Sequence, residues 1–300
     1  MTSLGERPLT PAIGAEITGV QLGGSLDDKV IGDLKQALMR YRVIFIRSQH
    51  GLDEQEQVAF TRRLGAITTA HPTMRPHEES KHILDLDYQK GGRADYWHTD
   101  ATFVDTPPAI SVLRAVVLPP HGQGDTLWAN TVNAYDTLPS ALRAVADASW
   151  ALHSNMTYDA PPSHGVTDAA AREHSDQFKG TVFEAEHPVV RIHADTGERA
   201  LLLGHFARAI VGAATEDAST GFIRTLQDHI TRADNIVRWQ WSPGDVAIWD
   251  NRSTQHRVVE DWGTYPRRLH RVTVAGSPTI ALDDRRSFAR RGSSTAYLAG

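Results

Sequence analysis

His98-Thr99-Asp100 places an imidazole and a carboxylate two residues apart. On an extended segment that spacing sends both side chains from one face, so they can reach a single metal ion. A third ligand has to come from elsewhere in the chain. Two histidines and one carboxylate on one side of an octahedron leave three positions open, which suits an Fe(II) centre that must also take a chelating cosubstrate and O2. His256, in Trp249-Asp250-Asn251-Arg252-Ser253-Thr254-Gln255-His256, follows a turn and strand signal and is the preferred third ligand. Arg267 lies eleven residues further on and Arg271 fifteen. Their spacing of four puts both on one face of a regular strand, with Arg268 and His270 on the other. A guanidinium aimed inward needs a carboxylate, sulfate or phosphate partner, because burying it unpaired is costly, and two can bind two anions.

The same pattern recurs at His193-Ala194-Asp195. There it ends a strand and Asp195 precedes Thr196-Gly197, so forming a turn accounts for it without a metal. Trp128, Trp239, Trp241 and Trp249 fall in strand-like runs and read as core, while His187 and His205 read as hydrogen-bonded structural histidines. Two other readings of the site residues stay open at this level. Two histidines and a carboxylate can hold Zn(II) for hydrolysis, although hydrolysis gives two buried arginines no dicarboxylate to bind. In a non-catalytic anion- or sugar-binding barrel, His98 and Asp100 would be a structural pair.

Composition narrows the chemistry. The chain has 300 residues and no cysteine, which excludes disulfides, iron–sulfur clusters and thiolate ligands, and leaves 15 histidines among the nitrogen and oxygen donors. Lys plus Arg number 31 against 36 Asp plus Glu, without a long run of either sign, so neither a nucleic-acid groove nor a membrane-surface patch is expected. A small-molecule partner is. Residues 1–20 lack a signal-peptide core and no stretch reaches the ~18 apolar residues of a membrane span, so the reading is a cytoplasmic protein.

The elements that must position these residues are mixed at first. Alternation at 15–20 predicts a strand, 27–41 a helix, 43–46 a buried strand, and 53–64 a helix capped by Asp53 and stopped by Gly65. From Ile83 strands predominate, at 83–86, 109–118, 126–129, 181–192, 199–203, 236–241, 246–249 and 269–274, with helical insertions at 133–148 and 215–231. The expected fold is mixed α+β but mainly β, one domain over residues 1–300, with a double-stranded β-helix (jelly-roll) core, helical insertions and a ligand mouth between its sheets. Residues 160–165 and the polar stretch to Lys179 read as a loop rather than an element.

Taken together, Trp97-His98-Thr99-Asp100-Ala101-Thr102-Phe103, Gly124-Asp125-Thr126-Leu127-Trp128, Trp249 to His256, and Arg267 to Arg271 resemble the taurine dioxygenase family over almost the whole chain. Within it, the chain is similar to the dioxygenase-type alkylsulfatases through Thr69-Ala70-His71-Pro72-Thr73, Trp128-Ala129-Asn130-Thr131, Glu186 to Arg191 and Leu203-Gly204-His205-Phe206. The resemblance implies Fe(II) held by His98, Asp100 and His256, and 2-oxoglutarate and O2 as cosubstrates. It implies that Thr126 and Arg267 hold the distal carboxylate of 2-oxoglutarate, with Arg271 close to both cosubstrate and substrate head group. His71 matches the position that bonds a sulfonate or sulfate, and Ala101 one that lines the substrate pocket. Dimers or tetramers are expected from the same likeness.

The chain departs from taurine dioxygenase at two places. Met74 stands where that enzyme has a tyrosine three residues after the equivalent of His71, and Ala94 where it has an asparagine four residues before the first iron ligand. Both remove polar groups suited to a small zwitterion and favour a more apolar substrate, an alkyl sulfate, over taurine. Asp100 favours hydroxylation over halogenation, because related halogenases lack that carboxylate. An alkyl sulfonate, a carboxylate or a natural-product intermediate remains the alternative substrate.

Overall fold

Val43-Ile44-Phe45-Ile46 and Val246-Ala247-Ile248-Trp249 are apolar at every position, as strands covered on both faces require. The computed structural model, which describes residues 4–92, 94–120, 122–158 and 166–300, pairs them antiparallel inside a seven-stranded sheet. Its order is Gly5–Pro8, Ala15–Thr18, Val43–Ile46, Val246–Asp250, Ile110–Val117, Arg268–Val274, Leu84–Asp87. Only Ala15–Thr18 beside Val43–Ile46 is a parallel pair.

Successive side chains leave opposite faces of these strands and build two cores. Ile44, Ile46, Val246 and Ile248 meet Leu34, Leu38 and Phe60 of the helices Asp28–Tyr41 and Glu54–Leu64. Phe45, Leu113, Ala247, Trp249 and Leu269 turn the other way, towards Trp128, Trp239 and Trp241. Phe45 stacks on Trp239 with ring centroids 4.2 Å apart and meets Trp128 edge-on at 5.2 Å. Each such pair contributes roughly 1 kcal/mol beyond its buried area. The packing matches the reading of Trp128, Trp239, Trp241 and Trp249 as core, with all four buried.

The second layer is the three-stranded sheet Ile236–Trp239, Thr126–Asn130, Thr254–Val258. A four-stranded sheet, Ala207–Ile210, Trp150–Ser154, Glu184–Pro188, Phe288–Arg291, and the pair Val190–Ile192 and Arg199–Leu201 complete the strands. The architecture is the mainly β, mixed α+β jelly roll anticipated from the strand spacing. Asp53 caps its helix through the Glu56 N–H at 2.8 Å, as read from the sequence. Among the described residues no helix is long and apolar enough to cross a membrane.

Four local readings need correction. The insertion at 133–148 is two helices, Thr131–Asp136 and Ser140–Ala148, because Pro139 between them has no N–H to continue the first. The run 181–192 is two strands, Glu184–Pro188 and Val190–Ile192, in different sheets. The polar stretch before Lys179 forms a helix, Asp168–Lys179, capped by Thr167; only Ala171 and Phe178 on it are buried, too faint a stripe to show in the pattern. Residues 160–165 of that predicted loop lie outside the described residues. Thr254–Val258 is a strand that the sequence reading lacked: its Gln255 and Arg257 look exposed, yet Gln255 is fully buried.

Candidate active site

His98 and His256 are brought together by backbone. They form an isolated antiparallel bridge, His98 N–H to His256 O at 3.0 Å and His256 N–H to His98 O at 2.8 Å, which sets their rings 4.2 Å apart. Asp100 follows two residues on, held by Asn251, whose Oδ1 accepts the Asp100 N–H at 2.9 Å and whose Nδ2 donates to the Asp100 carbonyl at 3.1 Å. The Ser111 hydroxyl donates to Asp100 Oδ2 at 2.8 Å. As a result His98 Nε2 and His256 Nε2 each lie 3.8 Å from Asp100 Oδ1, and all three side chains are buried.

Such a cluster suits a cation. His98 Nδ1 bonds the Tyr96 carbonyl at 2.9 Å; a carbonyl only accepts, so Nδ1 carries the proton and Nε2 presents a lone pair. Burial lowers the pKa of both His98 and His256, the latter far below its ordinary value. Burial works against the Asp100 carboxylate as well, but Arg271, then His256 and His98, outweigh it and hold the group down to about 2. Two neutral imidazoles and a carboxylate thus converge, and adjacent corners of an octahedron with ~2.1 Å bonds are about 3 Å apart, so a small inward shift completes a facial set.

Arg271 ion-pairs with Asp100 Oδ1. Its strand, Arg268–Val274, alternates as expected: Arg267, Leu269 and Arg271 face a cavity of about 730 Å³ that also contains the His–Asp–His cluster, while His270 turns to Glu54 and Asp85. Arg268 pairs with Asp85 at the rim. Arg267 is buried; its Nε donates to the Gly124 carbonyl at 3.1 Å, its Nη2 lies 3.4 Å from Thr126 Oγ1, and its guanidinium rests on the Trp262 ring at 5.1 Å. Burial brings its pKa down to about 10, against Asp125 and Asp261. Thr126 Oγ1 also accepts from Trp241 Nε1 at 3.0 Å. Gly124 is required here, since it adopts φ +74° and a Cβ would stand 2.7 Å from Arg267 Nε.

His71 lines the same cavity between Phe103 and Phe178, at ring distances of 5.8 and 5.3 Å. The Thr73 and Met74 N–H groups both donate to its Nδ1 at 3.2 Å. Nδ1 is therefore the acceptor nitrogen, and Nε2 carries the proton. Burial, then Arg271, lowers its pKa to about 3. Ala101, buried with φ 49°, turns the chain sharply after Asp100 and faces the cavity. The structure therefore places all eight singled-out residues, His71, His98, Asp100, Ala101, Thr126, His256, Arg267 and Arg271, around one space.

The decoy stays apart. His193 Nε2 bonds Asp250 Oδ2 at 2.8 Å and Asp195 pairs with Arg252. His187 is buried and fully bonded, whereas His205 stacks on Tyr96 at 3.8 Å with its Nε2 bonded to no described residue.

The taurine catabolism dioxygenase TauD, TfdA family profile matches residues 6–273. The chain belongs to the TauD/TfdA family. An alpha-ketoglutarate-dependent sulfate ester dioxygenase of Pseudomonas putida is 47% identical over 284 residues, 95% of this chain and 93% of that one. An alkylsulfatase of Acinetobacter baylyi is 44% identical over 273 residues, 91% and 85% respectively. The crystal structure of a taurine dioxygenase from Burkholderia xenovorans superposes with a TM-score of 0.79 at 32% identity, covering 99% of this chain and 98% of that one. As a TauD/TfdA protein this is an Fe(II)- and 2-oxoglutarate-dependent dioxygenase, and its one His–Asp–His cluster among the described residues fits the metal.

Sequence reasoning missed the roles of Asn251 and Ser111, and the placing of Phe178 and Phe206 in the cavity lining. Ser111 had a signal, a hydroxyl at the inward position of an apolar strand beside Leu113. Asn251 sits in a turn and gave none.

Proposed function

We propose that the protein oxidises alkyl sulfates: it hydroxylates the carbon bearing the ester oxygen and releases an aldehyde and inorganic sulfate, while 2-oxoglutarate becomes succinate and CO2. One observation carries the choice of substrate. The cavity lining combines anion donors, the His71 Nε2 hydrogen and Arg271, with the apolar side chains Met74, Phe178 and Phe206, which pack in one cluster, Phe178 5.3 Å from the His71 ring. A sulfate head and an alkyl chain match that combination, and Met74, Phe178 and Phe206 offer taurine's ammonium group no charged partner. The sulfate ester dioxygenase and alkylsulfatase relatives point the same way.

In this reading His98, Asp100 and His256 hold iron. Thr126 and Arg267 bind the far carboxylate of 2-oxoglutarate and so fix its register. Iron, 2-oxoglutarate and O2, when bound, supply the oxidant that replaces a C–H bond by C–OH. Arg271 and His71 hold the sulfate and thereby select which carbon is presented, because position decides the reacting bond. The hydroxylated ester then collapses: its hydroxyl loses a proton, a C=O bond forms, and sulfate leaves with the electrons of the C–O bond. His71 remains a neutral donor throughout and can bond sulfate before and after this cleavage.

The reading takes the chain as one cytoplasmic domain and, on the strength of the family resemblance, as a dimer or tetramer; light scattering of the purified protein checks the assembly. The main test loads the enzyme anaerobically with Fe(II) and 2-oxoglutarate, admits O2, and measures succinate and sulfate with alkyl sulfates, sulfonates and carboxylates of graded length. Alkyl sulfates should raise succinate above the uncoupled background and release sulfate in step. Stimulation by carboxylates or sulfonates alone sinks the substrate assignment and leaves the iron chemistry intact.

A further inference from the structure

The family match ends at residue 273, yet the chain beyond it returns to the substrate side of the cavity. Two contacts do this. Ser287 Oγ lies 2.7 Å from His187 Nδ1, and His187 Nε2 lies 2.7 Å from the Thr102 carbonyl and 3.1 Å from that of Val104. Carbonyls only accept, so Nε2 holds the imidazole proton and Ser287 must donate to Nδ1. The relay is directional and fully buried at the histidine. It ends on the stretch that carries Ala101 and Phe103.

The second contact is Tyr297, on the short helix Thr295–Leu298. Its carbonyl accepts from the Thr69 N–H at 2.9 Å and from the Thr69 hydroxyl at 3.2 Å. Its own hydroxyl lies 3.2 Å from Thr273 Oγ1, which is 2.6 Å from Thr68 Oγ1. The ring is buried in one cluster with Ala101, Phe103 and Phe178. Residues 68–70 are thus clamped between a strand end and this helix, and His71 follows at once.

The side proposed for 2-oxoglutarate makes none of these contacts directly. Thr126 and Arg267 take their partners from Gly124, Trp241 and Trp262. Asp100 has its own anchors in Asn251 and Ser111, neither of which bonds Ser287 or Tyr297.

We propose that the segment from Thr279 to Leu298, acting through Ser287 and Tyr297, is the positioning element of the substrate site: it sets His71 and the Ala101–Phe103 wall, and so governs affinity and coupling for the alkyl sulfate without governing iron or 2-oxoglutarate. This rests on the alkyl sulfate reading above. Tyr297 and Ser287 are positioning residues, since both act through backbone and through His187 rather than on the substrate. Displacement of a binding group by about 1 Å can cost ~100-fold, so modest loosening should be visible in kinetics.

The test compares Tyr297→Ala, Tyr297→Phe and Ser287→Ala with the wild type in the full chain. Tyr297→Ala should raise KM for the alkyl sulfate ~10-fold and Ser287→Ala and Tyr297→Phe about 3-fold, with KM for 2-oxoglutarate within about 2-fold. More succinate should form per sulfate released. The visible band formed anaerobically with Fe(II) and 2-oxoglutarate should keep its intensity and its titration midpoint. Parallel rises in both KM values, or an unchanged alkyl sulfate KM, overturn the proposal. If Tyr297→Ala does not fold, Tyr297→Phe and Ser287→Ala decide: alkyl sulfate KM values equal to wild type in both overturn it. A wild type that releases no sulfate from any alkyl sulfate defeats the functional reading, and this inference with it; an active wild type with unaffected variants defeats the inference alone.

Discussion

The two ends of the cavity are built differently. At the end proposed for 2-oxoglutarate, Thr126, Arg267 and Trp241 sit on or beside strands of the two facing sheets, and one glycine turn brings Gly124 against Arg267. At the substrate end, His71 stands in an irregular stretch, Ala101 in a left-handed turn, Phe178 on the helix Asp168–Lys179 and Phe206 in a turn. On the proposed reading, the end assigned to 2-oxoglutarate is made of sheet, and the end assigned to the substrate is made of loops and a helix. A scaffold can then change substrate by altering connections while the oxidising machinery stays on rigid strands.

The His–Asp–His cluster lies at the seam, so its loss should abolish this distinction. Asp100→Ala or His256→Ala is expected to lower sulfate release by more than ~100-fold, the upper end of what removing even an outer-shell partner costs. The visible band with Fe(II) and 2-oxoglutarate should vanish as well; a variant that retained both band and turnover would exclude that residue as a ligand.

Moving to one side should split the kinetics. Arg267→Ala leaves a buried carboxylate of 2-oxoglutarate unpaired, a loss of ~2–5 kcal/mol, so KM for 2-oxoglutarate should rise on the order of 100-fold while that for the alkyl sulfate moves little. His71→Ala should do the converse. Removing one donor to a charged oxygen costs ~1.5–3 kcal/mol, which corresponds to a rise of ~10-fold or more in alkyl sulfate KM with 2-oxoglutarate KM unchanged. Steady-state kinetics with each reagent varied in turn checks both, and equal shifts for either variant would break the division of the cavity.

The same division decided what the sequence revealed. Unbroken apolar runs at Val43–Ile46 and Val246–Trp249 announced the sheet, and the spacing of four between Arg267 and Arg271 announced their common face. The strand at Thr126 was readable, but the role of Thr126 came through resemblance. The substrate end was opaque for physical reasons. Its helix Asp168–Lys179 buries two side chains only, and the strand Thr254–Val258 conceals polar Gln255 by bonding it to Gln227, which hydropathy cannot foresee. Asn251 clamps Asp100 across 151 positions of chain, and Tyr297 reaches Thr69 across 228. Contacts so distant leave no spacing rule, so His71 could be assigned a role only through resemblance.

A last difference is electrostatic, and it predicts a gentler effect. Buried neutral histidines gather at the substrate end: His71 is lowered to about 3, and His174, His187 and His205 to about 4, each mainly by burial. In the unfolded chain each titrates near 6.5. Below that pH the unfolded state binds protons that the folded state refuses, so stability falls as pH drops from about 6.5 towards 4, and the loss levels off once the folded groups also protonate. The cosubstrate end has arginines in place of such groups and gains no comparable sensitivity. Hydrogen exchange between pH 7 and 4.5 should therefore show protection lost first around His174, His187 and His205, before the strands Val43–Ile46 and Val246–Asp250 open. Simultaneous loss across both ends would mean that the two halves unfold as one unit and that their difference is confined to binding.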